Sequence, residues 1–172
     1  MIQRSILLFP NFENIELIDY IRNLYDPLST LIKPHITIVF PFISSISNTE
    51  LENALEKCIH SISPFELVLC GIDSEVSIFG NYMFLNVLKG KKEITFLHDY
   101  FYNNIFKDFR VDLTYTPHLT LGKFDTIQDL NNATTITQSI HTKFITTIDS
   151  VFVEMIGENE ESIIIMEKKF SK

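Results

Sequence analysis

Two short stretches of this chain say nearly the same thing: Lys33-Pro34-His35-Ile36-Thr37-Ile38 and Thr116-Pro117-His118-Leu119-Thr120-Leu121. On a β-strand successive side chains point to opposite faces, so residues i and i+2 share one. This places His35 with Thr37 and Ile36 with Ile38; in the second copy, His118 lies with Thr120 and Leu119 with Leu121. The apolar pair anchors each strand in a core. The polar pair must face a groove, water or a ligand, because burying an imidazole and a hydroxyl without partners costs roughly a few kcal/mol. Each proline restricts the residue before it, Lys33 or Thr116, to extended backbone and stiffens the approach to the histidine. The histidines lie 83 positions apart in 172 residues, the spacing of two copies of one lobe that face each other.

The rest of the chain follows the same rhythm. Ile2 to Phe9 reads as a first strand closed by Pro10, and Phe12 to Tyr25 as a helix with Asn11 as a possible cap and Asp26-Pro27 as its stop. A strand from His35 to Phe40 leads to a helix opened by Ser47-Asn48-Thr49 and running to about Ile62. Phe65 to Phe79 and Tyr82 to Leu88 read as two strands joined by a turn at Gly80-Asn81. A helix over about 93–106, a strand over 118–123, a helix over about 127–140 and strands over 143–156 and 162–170 complete the alternation. With 45% hydrophobic and 21% charged residues, and no biased segment or linker, residues 1–172 are expected to form one domain.

Composition excludes several function classes. A net charge of −8 argues against wrapping a long nucleic-acid duplex, whose affinity rests on many Lys and Arg contacts. A small anionic substrate in one locally positive pocket remains compatible with it. Cys58 and Cys70 have neither metal nor redox spacing and read as ordinary buried thiols of a reducing compartment. No apolar run approaches the ~20 residues of a membrane helix, and the start, MIQRSILLFP, is not expected to be a signal peptide. The expected address is the cytoplasm, and the expected state a monomer. There is no phosphate-binding loop, dinucleotide fingerprint, H-E-x-x-H or carboxylate cluster.

Two imidazoles and two hydroxyls around one point form an acid–base constellation for a phosphodiester. One histidine takes a proton from the attacking oxygen, the other gives one to the departing oxygen, and the hydroxyls hold the non-bridging oxygens. Imidazole suits both tasks near neutral pH, with an ordinary pKa of about 6.5. No metal or organic cofactor is required.

The doubled H-x-T-x motif, half a chain apart within alternating strands and helices, resembles the two-histidine phosphoesterase superfamily, which includes the proteins called 2'-5' RNA ligases and the 2',3'-cyclic nucleotide phosphodiesterases. The opening RSILLFP is similar to the first strand of those proteins. YDPLSTLIKPHIT, residues 25–37, resembles the segment leading into the first motif in a subgroup of phosphoesterases from low-GC Gram-positive bacteria. The resemblance implies a bilobal α+β fold of duplicated β-α-β-α-β units, with two antiparallel sheets meeting at a central cleft and helices outside. It implies His35 and His118 as the acid–base pair and Thr37 and Thr120 as donors to the phosphate. The expected activity is opening of a 2',3'-cyclic phosphate, or reaction at a 2'-5' linkage, on a small nucleotide or RNA end. A module that binds such an end without turnover is the alternative; a structural protein with core histidines is the third.

Many members of the superfamily carry an arginine where this chain has Lys123. Strict alternation from Thr120 moreover puts Gly122 on the groove face and Lys123 on the other. Alternation likewise puts Val39 beside His35 and Thr37, and Phe40 and Phe42 on the core side. Tyr115 and Thr116 are candidates to shape the groove. Arg22, Tyr25 and Lys33 are near enough in sequence to serve the substrate, although Arg22 also suits the solvent face of its helix. His60, His98 and His141 are expected at the surface.

Overall fold

The computed structural model describes residues 2–110 and 114–171. In chain order the elements are β1 (Ile2–Leu8), α1 (Ile15–Tyr25), β2 (Ile36–Ser44), α2 (Asn48–Ile59), β3 (Phe65–Ser77), β4 (Gly80–Lys89), α3 (Lys91–Asn103), a 3-10 turn (Lys107–Phe109), β5 (His118–Phe124), α4 (Ile127–Thr137), β6 (Phe144–Ile148), β7 (Ser150–Ile156) and β8 (Ser162–Lys169). The strands form two antiparallel sheets of four, ordered β2-β1-β7-β8 (sheet A) and β5-β4-β3-β6 (sheet B). The architecture is α+β, as the family resemblance implies.

Both motif strands, β2 and β5, lie at sheet edges, and these edges approach each other. The helices cover the sheets crosswise. α1 leaves sheet A but packs on β5 of sheet B; α3 leaves sheet B but packs on β2 of sheet A. α2 rests against β8, and α4 against β3, β4 and β5. The apolar members of each motif sit where alternation puts them, with Ile36, Ile38, Leu119 and Leu121 fully buried.

Several boundaries differ from the pattern-based expectation. α1 starts at Ile15, with Asn14 rather than Asn11 at its N-cap. Phe12 precedes the helix and packs on Phe144 at 5.7 Å. α2 begins with a full capping box, in which Ser47 Oγ accepts from Glu50 N–H and the Glu50 carboxylate accepts from Ser47 N–H. The β3–β4 turn is Ile78-Phe79, and Ser77 pairs with Gly80. The run 143–156 divides at Asp149: β6 joins sheet B and β7 joins sheet A. Cys58 is buried, but Cys70 is only half-buried, and both thiols are free. No helix among the described residues is long and apolar enough to cross a membrane.

Candidate functional site

The two histidines are held by the same local contact. Nδ1 of His35 lies 2.9 Å from the carbonyl of Lys33, and Nδ1 of His118 lies 2.8 Å from the carbonyl of Thr116. A carbonyl only accepts, so each Nδ1 carries the proton and each Nε2 is left to work as base when neutral or as donor when protonated. The extended backbone that each proline imposes brings the carbonyl of residue i−2 under its own imidazole. Thr37 and Thr120 are half-buried, and among the described residues neither hydroxyl hydrogen-bonds to protein.

The surroundings of the rings differ. The Phe9 ring lies 6.2 Å from His35 and tilted against it, whereas Phe84 stacks on His118 at 3.7 Å. Burial holds both imidazoles below their ordinary pKa. At His35 the Lys33 carbonyl and the charges of Glu154 and Asp26 oppose that depression, and Arg22 adds to it. At His118 the Thr116 carbonyl opposes it, and a positive charge on His35 deepens it. The charge of His35 thus reaches the His118 ring.

The carboxylate of Glu154 is itself buried, accepting from Ser5 Oγ at 2.6 Å and from Ser162 Oγ. It shares a sheet face with Leu7, Thr37 and Phe152, through the pairings of Ser5 with Glu154, Leu7 with Thr37 and Leu7 with Phe152. Sequence pattern gave no sign of Glu154, because its partners come from the first and last strands of the sheet.

Register shifts correct two expectations drawn from alternation. Thr120 pairs with Phe84, but Gly122 pairs with Met83 and Lys123 with Tyr82, so an extra residue in β5 turns Lys123 back onto the face of His118 and Thr120. Its ammonium lies 5.8 Å from the Tyr82 ring centroid, and Tyr82 in turn stacks on Phe84. Gly122 sits where a Cβ would come within 2.8 Å of the Cβ of Tyr25, so its missing side chain allows α1 to close on β5. In β2, Thr37 pairs with Leu7 but Val39 with Ile6. The intervening Ile38 is the bulge, and Val39 is fully buried rather than lining the cleft. Phe42 is in the core, against Phe106 at 4.6 Å.

Arg22 is not on a solvent face. It is 2% exposed, and its Nε donates to Asp26 Oδ2 at 2.9 Å and its Nη1 to the Ile32 carbonyl at 2.9 Å. Asp26 also accepts from Leu28 N–H, so this pair pins the segment that delivers Lys33, Pro34 and His35. Tyr25 packs on Phe124 at 5.7 Å; Lys33 is exposed. His98 is buried rather than superficial, donating Nδ1–H to the Ile38 carbonyl at 2.8 Å and stacked on Tyr115 at 3.7 Å. His60 and His141 are exposed.

A cavity of about 920 Å³ is lined by Phe9, Asn23, Lys33, Pro34, Phe152 and Ile164, among others; it reaches Pro34, next to His35, but neither histidine of the motifs lines it. Among the described residues no three His, Cys, Asp or Glu side chains are grouped as a metal centre needs.

Comparison with known proteins bears on the family and the fold. Residues 10–153 match the family model described as the 2'-5' RNA ligase superfamily. A Bacillus mycoides (strain KBAB4) protein named "Putative phosphoesterase" is 31% identical over 130 residues, which is 75% of this chain and 71% of that protein. A Bacillus cereus (strain AH820) protein of like name is 30% identical over 120 residues, 69% of this chain and 68% of its own. The crystal structure of E. coli LigT complexed with 3'-AMP superposes with a TM-score of 0.65 at 13% identity, covering 99% of both chains. Another, described as a phosphoesterase, gives 0.62 at 12% identity over the whole of both chains. At such identities the likeness is one of fold. The doubled motif, the family match and the Bacillus relatives lead to one conclusion: the chain belongs to the 2'-5' RNA ligase superfamily of two-histidine phosphoesterases.

Proposed function

We propose that the chain is a phosphoesterase that opens the 2',3'-cyclic phosphate of a nucleotide or RNA end by acid–base catalysis with His35 and His118. The observation that carries this reading is the identical tethering of the two imidazoles, each with Nδ1 committed to a carbonyl and Nε2 free, on strands whose edges meet. One Nε2 takes a proton from water as its oxygen bonds to phosphorus. The bond from phosphorus to one ribose oxygen breaks, and the other imidazolium gives that oxygen its proton. The hydroxyls of Thr37 and Thr120 donate to the non-bridging oxygens as negative charge shifts onto them. The product is a ribose monophosphate, and 2'-5' ligation is the same exchange with a 5'-hydroxyl in the place of water. The cavity beside Phe9 has room for the rest of the substrate.

The test is turnover of 2',3'-cyclic nucleotides by the wild type, His35→Ala and His118→Ala across pH. Each substitution is expected to lower kcat by about 10²–10⁴-fold. The wild-type profile is expected to be bell-shaped. Both imidazoles are held below their ordinary pKa, so the base stays neutral, and the acid loses its proton, at lower pH than free imidazole would. Both limbs therefore move down and the optimum falls on the acid side of neutrality. Tight binding of the nucleotide with no turnover would instead identify a binding module.

A further inference from the structure

Among the described residues sheets A and B share no backbone ladder, so side chains take part in setting the span between His35 and His118. The bulge at Ile38 leaves β2 with backbone groups that β1 does not take up, and three aromatic side chains meet this stretch. Tyr115 Oη donates to the Thr37 carbonyl at 2.7 Å. His98 Nδ1–H donates to the next carbonyl, that of Ile38, at 2.8 Å. Tyr102 Oη accepts from Phe40 N–H at 3.2 Å. His98 and Tyr102 both come from α3, the helix that covers sheet A. Tyr115 comes from the segment that leads into β5, three residues before His118. Its ring lies flat on His98, 3.7 Å away and within 5° of parallel, and Phe40 meets it edge-on at 6.4 Å.

We propose that Tyr115 is a positioning residue that ties the second motif to the backbone of the first and so fixes the distance between the two imidazoles. The role rests on the phosphoesterase reading only for its effect on rate; the tie itself is a property of the cleft. Its hydroxyl binds the carbonyl of the same residue, Thr37, whose side chain faces the substrate, and its main chain continues within three residues to the second ring. A displacement of about 1 Å in such a pair costs up to about 10²-fold in rate.

The test compares Tyr115→Phe with Tyr102→Phe, each of which removes one hydroxyl from β2 and keeps the ring. Tyr115→Phe is expected to lower kcat about tenfold or more with KM changed less than about threefold, whereas Tyr102→Phe leaves kcat within about twofold at a similar loss of thermal stability. A second readout needs no turnover. The protonation of His118, followed by NMR of its ring Hε1, responds to the charge on His35, and the size of its response to His35→Ala serves as a ruler of their separation. The charged groups that bear on His35, namely Glu154, Asp26 and Arg22, are left in place in every background. The response is expected to change when Tyr115→Phe is added and to stay the same when Tyr102→Phe is added. An equal response in all three backgrounds would overturn the proposal whether or not the protein turns over a cyclic phosphate, as would equal losses of kcat in the two variants.

Discussion

β2 and β5 hold their histidines by the same contact, Nδ1 to the carbonyl two residues upstream, yet the rings stand in different company. His35 has Phe9 at a distance and two carboxylates, Glu154 and Asp26, within reach. His118 lies under the face of Phe84, and the charge that bears on it is that of His35. The shared part is written in six residues of sequence. The part that differs comes from neighbouring strands and helices, and it makes two equal motifs chemically unequal: carboxylates help His35 to keep its proton, and among the described residues none does so for His118.

The largest effect tests what the lobes share. Thr37→Ala and Thr120→Ala should each lower kcat about 10²-fold at nearly constant stability; a large loss from one and none from the other would break the likeness between the motifs. Next is the part that differs. Phe84→Ala should raise the pKa of His118, because burial is the first cause of its depression and the Phe84 ring supplies much of the cover. The stacked pair should cost about 1 kcal/mol of stability, and His35 should titrate as before. Glu154→Gln should do the converse, lowering His35 further by removing a charge that favours its protonated form and moving His118 only slightly, in the opposite direction, as the charge on His35 falls. This shift is smaller, since burial rather than Glu154 dominates at His35. NMR titration of both rings reads both variants, and equal movement of the two histidines in either one would erase the distinction. The smallest change is Lys123→Gln: an exposed ammonium on the cleft face should alter KM by about two- to fivefold with the melting temperature unmoved.

How much of this was legible in the sequence follows from the range of the forces involved. Alternation within a strand is local, and it placed His35, Thr37, His118 and Thr120 on one face and their apolar neighbours in the core. Helix caps are local too, and Ser47 with Glu50 marks the start of α2 as written. Alternation fails where a partner strand decides the register. The extra residues near Ile38 and Gly122 turn Val39 inward and Lys123 outward, and nothing in either strand alone announces them. Burial of charge is also a long-range matter. Arg22 and His98 carry polar groups that read as surface, and their partners are the Ile32 carbonyl and Asp26 in one case and the Ile38 carbonyl and the Tyr115 ring in the other. The run 143–156 is uniformly strand-like, so only the geometry of two sheets reveals that Asp149 is where the chain passes from one to the other.

That passage at Asp149 has a consequence for the order of assembly. Sheet B is drawn from one uninterrupted stretch, residues 65–148, while sheet A joins residues near the beginning to β7 and β8, and its Ser5–Glu154 contact closes a loop of 149 positions. Pairings of such long separation form late and slowly, and a chain emerging from the ribosome acquires them only after the last strands are made. The half that carries His118 can thus acquire its strand ladder while the half that carries His35 still waits for its final two strands, so the cleft comes into being last.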